Sequence, residues 1–464
     1  MNRRFILPLF LTVVFLNIAL AGGLARKYSG KKTYMYRVQL CDKNGTLYSL
    51  DCPMAFLSQK AMERRAKQHI SVDSTDLPVC AEYERLLAAC GGEIVCKSKW
   101  NNTVVLRTSD TAVVKKICCL PFVRSVRKVW TSPDSVAEKK VRPRYHDTLV
   151  LHDTVGVKFH GAADEQLQML GGVELHAEGF RGAGMTIAVL DAGFLNADII
   201  PAMRKINLIG FANFVAASDD NIFTTSAHGT QVLSTMAVNV PRVYVGAAPD
   251  AEYWLLRCED QQSEQPVEED YWVAAAEFAD SVGVDVINSS LGFHDYDTPS
   301  DSYAYCQQDG KTALISRTAS MLAGKGIVLV NSCGNDGMSA WKKINFPADA
   351  RDVLSVGAVT SMRRNAAFCS VGPTADGRIK PDVMAQGSPT MVVTERGTIS
   401  SDMGTSFASP LIAGMVACLW QKYPHKTALE IIDDVKHLGD NYSHPDNIYG
   451  YGIPDFSKKI DKDE

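Results

Sequence analysis

After its first twenty-one residues the chain has no second apolar run long enough to span a bilayer, no polybasic tract and no lopsided charge. With 48 Lys and Arg against 52 Asp and Glu, its net charge of -4 gives no electrostatic ground for nucleic acid or an acidic membrane surface as partner. The paired short cysteine spacing of a zinc site is also missing, since Cys118 and Cys119 are adjacent and cannot both grip one ion in the usual way. Cys41, Cys52, Cys80, Cys90, Cys96, Cys118 and Cys119 lie early, and Cys258, Cys306, Cys333, Cys369 and Cys418 lie late. Both sets are odd in number, so no disulfide framework is legible, and free buried thiols fit the pattern equally well.

What is present is a 464-residue chain, 46 % apolar, which exceeds one ordinary domain and can bury a sizeable core. Met1-Asn2-Arg3-Arg4, the apolar stretch Phe5 to Leu20 and the small residues of Ala19-Leu20-Ala21 read as a signal peptide over 1–21. The competing reading, an uncleaved anchor, meets an apolar run a little short to span. The expectation is therefore export, to the medium, the periplasm or the cell surface, with no stable membrane span after processing.

Gly404-Thr405-Ser406-Phe407-Ala408-Ser409-Pro410 precedes the apolar run Leu411 to Trp420. Ser406 thus stands where a helix of about sixteen residues begins, at the positive end of its dipole and among unpaired amides. Alone, a serine there is more often a helix cap than a nucleophile. Two other stretches shift the balance. Met185 to Leu190 reads as a strand that delivers Asp191 into the Gly-containing turn Ala192-Gly193, at the strand end where open α/β sheets place ligands. His228-Gly229-Thr230 opens a helix-like run, Gln231 to Val238. Orienter, general base and nucleophile thus occur in the order Asp, His, Ser.

That order and those local sequences resemble the subtilisin-like serine peptidases, the subtilases, over about the last 300 residues. Gly334-Asn335-Asp336-Gly337 is similar to the family's oxyanion-hole segment and Ile287-Asn288-Ser289-Ser290-Leu291-Gly292 to its substrate-binding strand. Phe346-Pro347-Ala348, Val353 to Ala358 and Lys380-Pro381-Asp382 match in order. The resemblance implies a parallel sheet covered by helices on both faces, as does the alternation of apolar strands with amphipathic helices. Strands are expected at Thr186 to Leu190, Ala251 to Arg257, Val284 to Ser289, Ile327 to Ser332 and Val353 to Val359, with helices at Glu268 to Val282 and Lys311 to Lys325.

The stretch 32–130 forms a separate small α+β unit: strand-like at Thr33 to Leu40, Val104 to Leu106 and Val123 to Val129, helix-like at Ala55 to Gln68 and Thr111 to Cys118. Its place before a subtilase-like domain implies a propeptide that assists folding and acts as an intramolecular inhibitor. A permanent accessory domain is the alternative. The polar stretch 131–154 reads as an exposed linker and processing region, and 155–464 as the catalytic domain.

The expected reaction is hydrolysis of protein or peptide substrates through an acyl-enzyme. Ser406 attacks, His228 carries the proton and Asp191 holds the imidazole. Asn335 and the Ser406 N–H would form the oxyanion hole. Ser290, Leu291, Gly292 and Gly334 would bind substrate by pairing with its backbone, and by resemblance Asn345 lies at the base of the adjoining pocket. No metal or other cofactor is assigned. The acidic loop His294 to Asp301 gathers oxygen ligands of the kind calcium takes, but its spacing matches no known calcium loop.

The sequence departs from the family at Ala192, where a hydroxyl residue is common, and at Gln231, where a second histidine is common; neither removes a catalytic group. A non-catalytic peptide-binding scaffold is the rival reading. An esterase is disfavoured because Thr405-Ser406-Phe407 lacks the flanking glycines of a nucleophile elbow. Cys333, two residues before Asn335, is expected to be a free, buried thiol with no cysteine placed to pair with it.

Overall fold

Strand Thr186–Asp191 (β5) sends alternate side chains to opposite sides: Ile187 and Val189 into one apolar cluster, Ala188 and Leu190 into another. A strand buried on both faces belongs in a parallel sheet with helices above and below. The computed structural model, which describes residues 32–133, 158–216 and 221–460, has that architecture.

The amino-terminal unit runs β1 (Tyr34–Leu40), α1 (Gln59–Lys67), α2 (Ala81–Ala89), β2 (Glu93–Ser98), β3 (Thr103–Thr108), α3 (Val113–Cys118) and β4 (Val123–Thr131). Its strands pair antiparallel in the order β2-β3-β1-β4. Val38, Leu40, Leu87, Val104, Leu106 and Ile117 form its own core. The helix expected from Ala55 starts only at Gln59, because Ser58 caps it by accepting the Ala61 N–H and Pro53–Ala55 makes a separate 3-10 turn.

The second unit follows β5 with β6 (Asn207–Asn213), α4 (His228–Ala237), a two-stranded ribbon of β7 (Asn239–Val240) and β8 (Tyr244–Val245), then β9 (Glu252–Arg257) and α5 (Val267–Val282). It continues with β10 (Val286–Ser289), β11 (Val328–Ser332), β12 (Leu354–Thr360), β13 (Val383–Ser388) and a second ribbon of β14 (Thr390–Val393) and β15 (Ile399–Asp402). It closes with α6 (Thr405–Lys422) and α7 (Ala428–His437). Seven strands pair in parallel in the order β13-β12-β11-β10-β5-β9-β6. Every residue of α6 from Thr405 to Trp420 is buried, as expected of a helix apolar on all sides. It shares one face of the sheet with α4, and α5 covers the other.

The helix expected over Lys311 to Lys325 is shorter: Leu314–Ala319 plus a 3-10 turn, Ala323–Lys325. The N–H groups of Lys311 and Thr312 are held by the Asp309 carboxylate in a turn, and Gly326, at φ +86°, ends the stretch. The expected signal peptide and all but the first residues of the expected linker lie outside the described residues.

Candidate active site

The parallel strands end on one edge, and there β5 delivers Asp191 fully buried. A buried carboxylate needs partners. Asp191 Oδ1 accepts the Ala192 N–H at 2.8 Å, and the two oxygens face His228 Nδ1 at 2.9 and 3.0 Å. His228 is the first residue of α4, and Ser226 Oγ accepts its backbone N–H at 3.2 Å. Position 229 has room only for glycine, since a Cβ there would stand 2.9 Å from the Asp191 side chain and 2.3 Å from the Gly193 carbonyl oxygen. Burial opposes a charged imidazole, but the Asp191 carboxylate outweighs it and raises the His228 pKa to about 9. An acceptor at Nδ1 imposes the tautomer in which Nε2 is the basic nitrogen.

Ser406 is the second residue of α6, is 9 % exposed and caps nothing with its side chain. Its Oγ donates to Ser290 O at 3.4 Å, and among the described residues it makes no hydrogen bond to His228. His228 nevertheless packs against the next residue of the helix, with the rings of His228 and Phe407 centred 5.9 Å apart. Pro410, inside α6, has no N–H to give to the Ser406 carbonyl one turn earlier. That carbonyl takes the Ser290 hydroxyl instead, at 2.8 Å. Asn288 Nδ2 donates to Ser290 Oγ at 3.2 Å and Ser409 Oγ to Asn288 Oδ1 at 2.9 Å, so the end of β10 is laced to the start of α6.

Asn335 is exposed just past the end of β11, after Gly334 at φ +113°. Its Oδ1 accepts both the backbone N–H and the hydroxyl of Thr405, at 2.9 and 3.0 Å. With its oxygen so fixed, the NH₂ group has no protein partner among the described residues and is free to donate to a reacting oxygen beside Ser406. Thr405 was not singled out in the sequence, although its place directly before Ser406 is the signal that could have marked it.

Of the expected substrate-binding residues, Ser290 and Leu291 are buried, and the Leu291 carbonyl accepts Asn331 Nδ2 at 3.1 Å. Gly292 is exposed, and a Cβ on it would stand 2.9 Å from Asn345 Cβ. A Cβ on Gly334 would meet Asn345 Nδ2 at the same distance. Asn345 is thus wedged between the two segments, its Nδ2 donating to Asp336 Oδ2 at 2.9 Å.

The expectation for Cys333 needs correcting in one respect. It is a buried, free thiol, but Cys369 Sγ stands 3.6 Å from its Sγ. The Ser370 N–H donates to the Gly334 carbonyl at 3.0 Å, which brings residue 369 alongside the strand end.

Comparison with known proteins gives the same picture. The chain is 28 % identical over 327 residues to subtilisin NAT of Bacillus subtilis subsp. natto, covering 69 % of this chain and 77 % of the relative. It is 30 % identical over 287 residues to subtilisin DY of Bacillus licheniformis, covering 60 % of this chain and 92 % of the relative. Residues 35–144 match the Peptidase S8 propeptide domain of Bacteroidota. Residues 182–452, more than half of the chain, match the subtilase family model, and the chain belongs to the subtilase family of serine peptidases.

Proposed function

We propose that the protein is an exported serine endopeptidase made as a precursor, with Ser406 as nucleophile, His228 as general base and acid, and Asp191 as the group that orients and stabilises the imidazolium. The observation that carries this reading is the pairing of His228 Nδ1 with both oxygens of a fully buried Asp191, at the strand edge where α6 presents Ser406. In a substrate-free site the link from serine to base is often long and tightens only when substrate binds. The carbonyl oxygen that gains charge on attack is met by Asn335 Nδ2 and the Ser406 N–H. A substrate backbone enters beside Gly292 and Gly334, where no side chain blocks it.

The test is labelling with an organophosphonate serine probe after removal of the amino-terminal unit. Ser406 is expected to carry the label, and Ser406→Ala or His228→Ala to abolish it. Unlabelled protein with an intact fold would overturn the reading. Amino-terminal sequencing of the exported protein should place the new terminus within residues 131–154.

A further inference from the structure

Between β1 and α2 the amino-terminal unit makes a forty-residue excursion, 41–80, that carries α1 away from the cleft. Parallel strands have two distinct edges, and this excursion meets the opposite one from Asp191. Lys60 Nζ donates to Thr186 Oγ1 and pairs with Glu252 at 2.7 Å, the first residues of β5 and β9. Arg64 donates to the Val284 carbonyl at 2.7 Å, just before β10. Gln68 Nε2 donates to the Gly326 carbonyl ahead of β11 at 2.9 Å, and its Oε1 accepts the Ala428 N–H at the start of α7 at 2.8 Å.

Charge ties the two units together at the same place. Arg64 and Arg65 converge on Asp280, near the carboxyl end of α5, at 2.5 and 2.9 Å. Arg65 also holds Asp76 at 2.8 Å, and Lys325 of the catalytic unit reaches Asp76 at 3.1 Å and Asp73 at 3.0 Å. Asp280 and Asp76 are fully buried, so neither carboxylate has water to replace a lost partner. The cleft end of the interface has fewer charge ties: Arg37 on Asp270 at 2.6 Å and Arg127 on Asp301 at 3.5 Å, with a mutual pair between Gln265 and the Thr131 backbone at 2.8 and 3.0 Å.

We propose that residues 41–80 form a second docking element that grips the amino-terminal edge of the catalytic sheet. It holds the propeptide on the enzyme independently of the cleft, at the sheet edge remote from Asp191. The inference rests on reading residues 32–130 as the propeptide. The partner surface is the set of strand starts and helix ends around Asp280, Lys325, Gly326 and Ala428.

The test uses the full chain carrying Ser406→Ala, with a recognition sequence for an unrelated protease placed in the expected linker, between residues 134 and 154, folded, cut and then diluted on gel filtration. The fragment is expected to co-elute with the catalytic unit. Gln265→Ala, which removes one of the ties at the cleft end, should weaken binding by less than about tenfold. Arg64→Ala with Arg65→Ala should weaken it by at least about 100-fold and release the fragment. Should that double variant fail to fold, Lys60→Ala with Gln68→Ala, outside the buried charge cluster, should weaken binding by about tenfold or more. The proposal is overturned if the fragment leaves the otherwise unchanged cut chain, if Gln265→Ala releases it as readily as the arginine pair, or if the variants of α1 that fold bind it as tightly as the parent. None of these readouts uses catalysis, so failure of the peptidase reading would appear separately, as absent phosphonate labelling.

Discussion

At the scale of single residues, Ser406→Ala and His228→Ala should each lower kcat by about 10⁶-fold without unfolding the chain, the loss such changes bring in subtilisin. Asn335→Ala should cost about 10²- to 10³-fold, again by that precedent, because one oxyanion donor is lost. Steady-state kinetics on a peptide anilide measures both, and normal turnover by the serine variant would remove the assignment. As the proposed general base, His228 should set the pH profile. Its raised pKa, about 9, means the ring is charged below that pH, and a general base works only uncharged. kcat/KM should therefore rise with pH through an apparent pKa near 9, and Asp191→Asn should bring that limb down; a wild-type limb at the ordinary 6.5 would contradict the pairing. For stability the sign is reversed: the paired, charged ring favours the fold fully below 6.5, and this contribution is lost as pH rises through about 9. Asp191, His228 and Ser406 could be picked out because each sits in a short local pattern, Asp191 at the end of an apolar strand and the other two at the start of a helical run. Thr405 and the contact of Cys333 with Cys369 could not, since the first acts through a carboxamide 70 residues away and the second joins residues 36 apart.

At the scale of elements, α6 depends on what it lacks. Pro410→Ala would supply an N–H to the Ser406 carbonyl and displace the Ser290 hydroxyl from it, freeing the end of β10. KM should rise by about fivefold, the worth of one hydrogen bond of about 1 kcal/mol, while the thermal midpoint stays level or rises; an unchanged KM would show that the Ser290 contact does not shape the substrate strand. Thr405→Val should do the reverse, lowering kcat by about fivefold through a loosened Asn335 and leaving KM alone. The sheet's inner strands were readable because β5, β9, β10, β11 and β12 are runs of buried apolar residues. β6 was missed because it is the edge strand, mostly exposed and interrupted by Gly210, and so has no continuous apolar signal. β13 was missed because Gln386, Gly387 and Ser388 break its pattern. In the amino-terminal unit α2 and β2 escaped notice, since each buries only one or two residues fully.

For the whole molecule, the acid response follows from the interface. Burial opposes charge on Asp76, but Arg65 outweighs it and holds the carboxyl at about 2, below its ordinary 3.8. Its contribution to stability is then complete above pH 3.8 and is lost as pH falls through about 2; because Asp76 stays charged, its tie to Lys325 of the other unit should hold, and the uncut Ser406→Ala chain should keep its two units associated well below pH 4. Small-angle scattering across an acid titration measures this, and separation near pH 5 would count against it. Arg65 and Asp280 lie 215 residues apart, and a pair so distant leaves no trace in local sequence. Their contact has a further consequence. The ties at Gln265 and at Asp280 lie near opposite ends of a helix of 16 residues, about 24 Å long, and between them Glu277 accepts the Lys99 and Trp100 N–H groups, so the propeptide would act as a multivalent ligand that opens in stages. When β4 lets go at the cleft while α1 still holds, the released end stays at an effective concentration on the order of millimolar, and rebinding outruns escape unless the far end also opens. Substrate thus competes with a tethered neighbour, and dilution alone does little to relieve it.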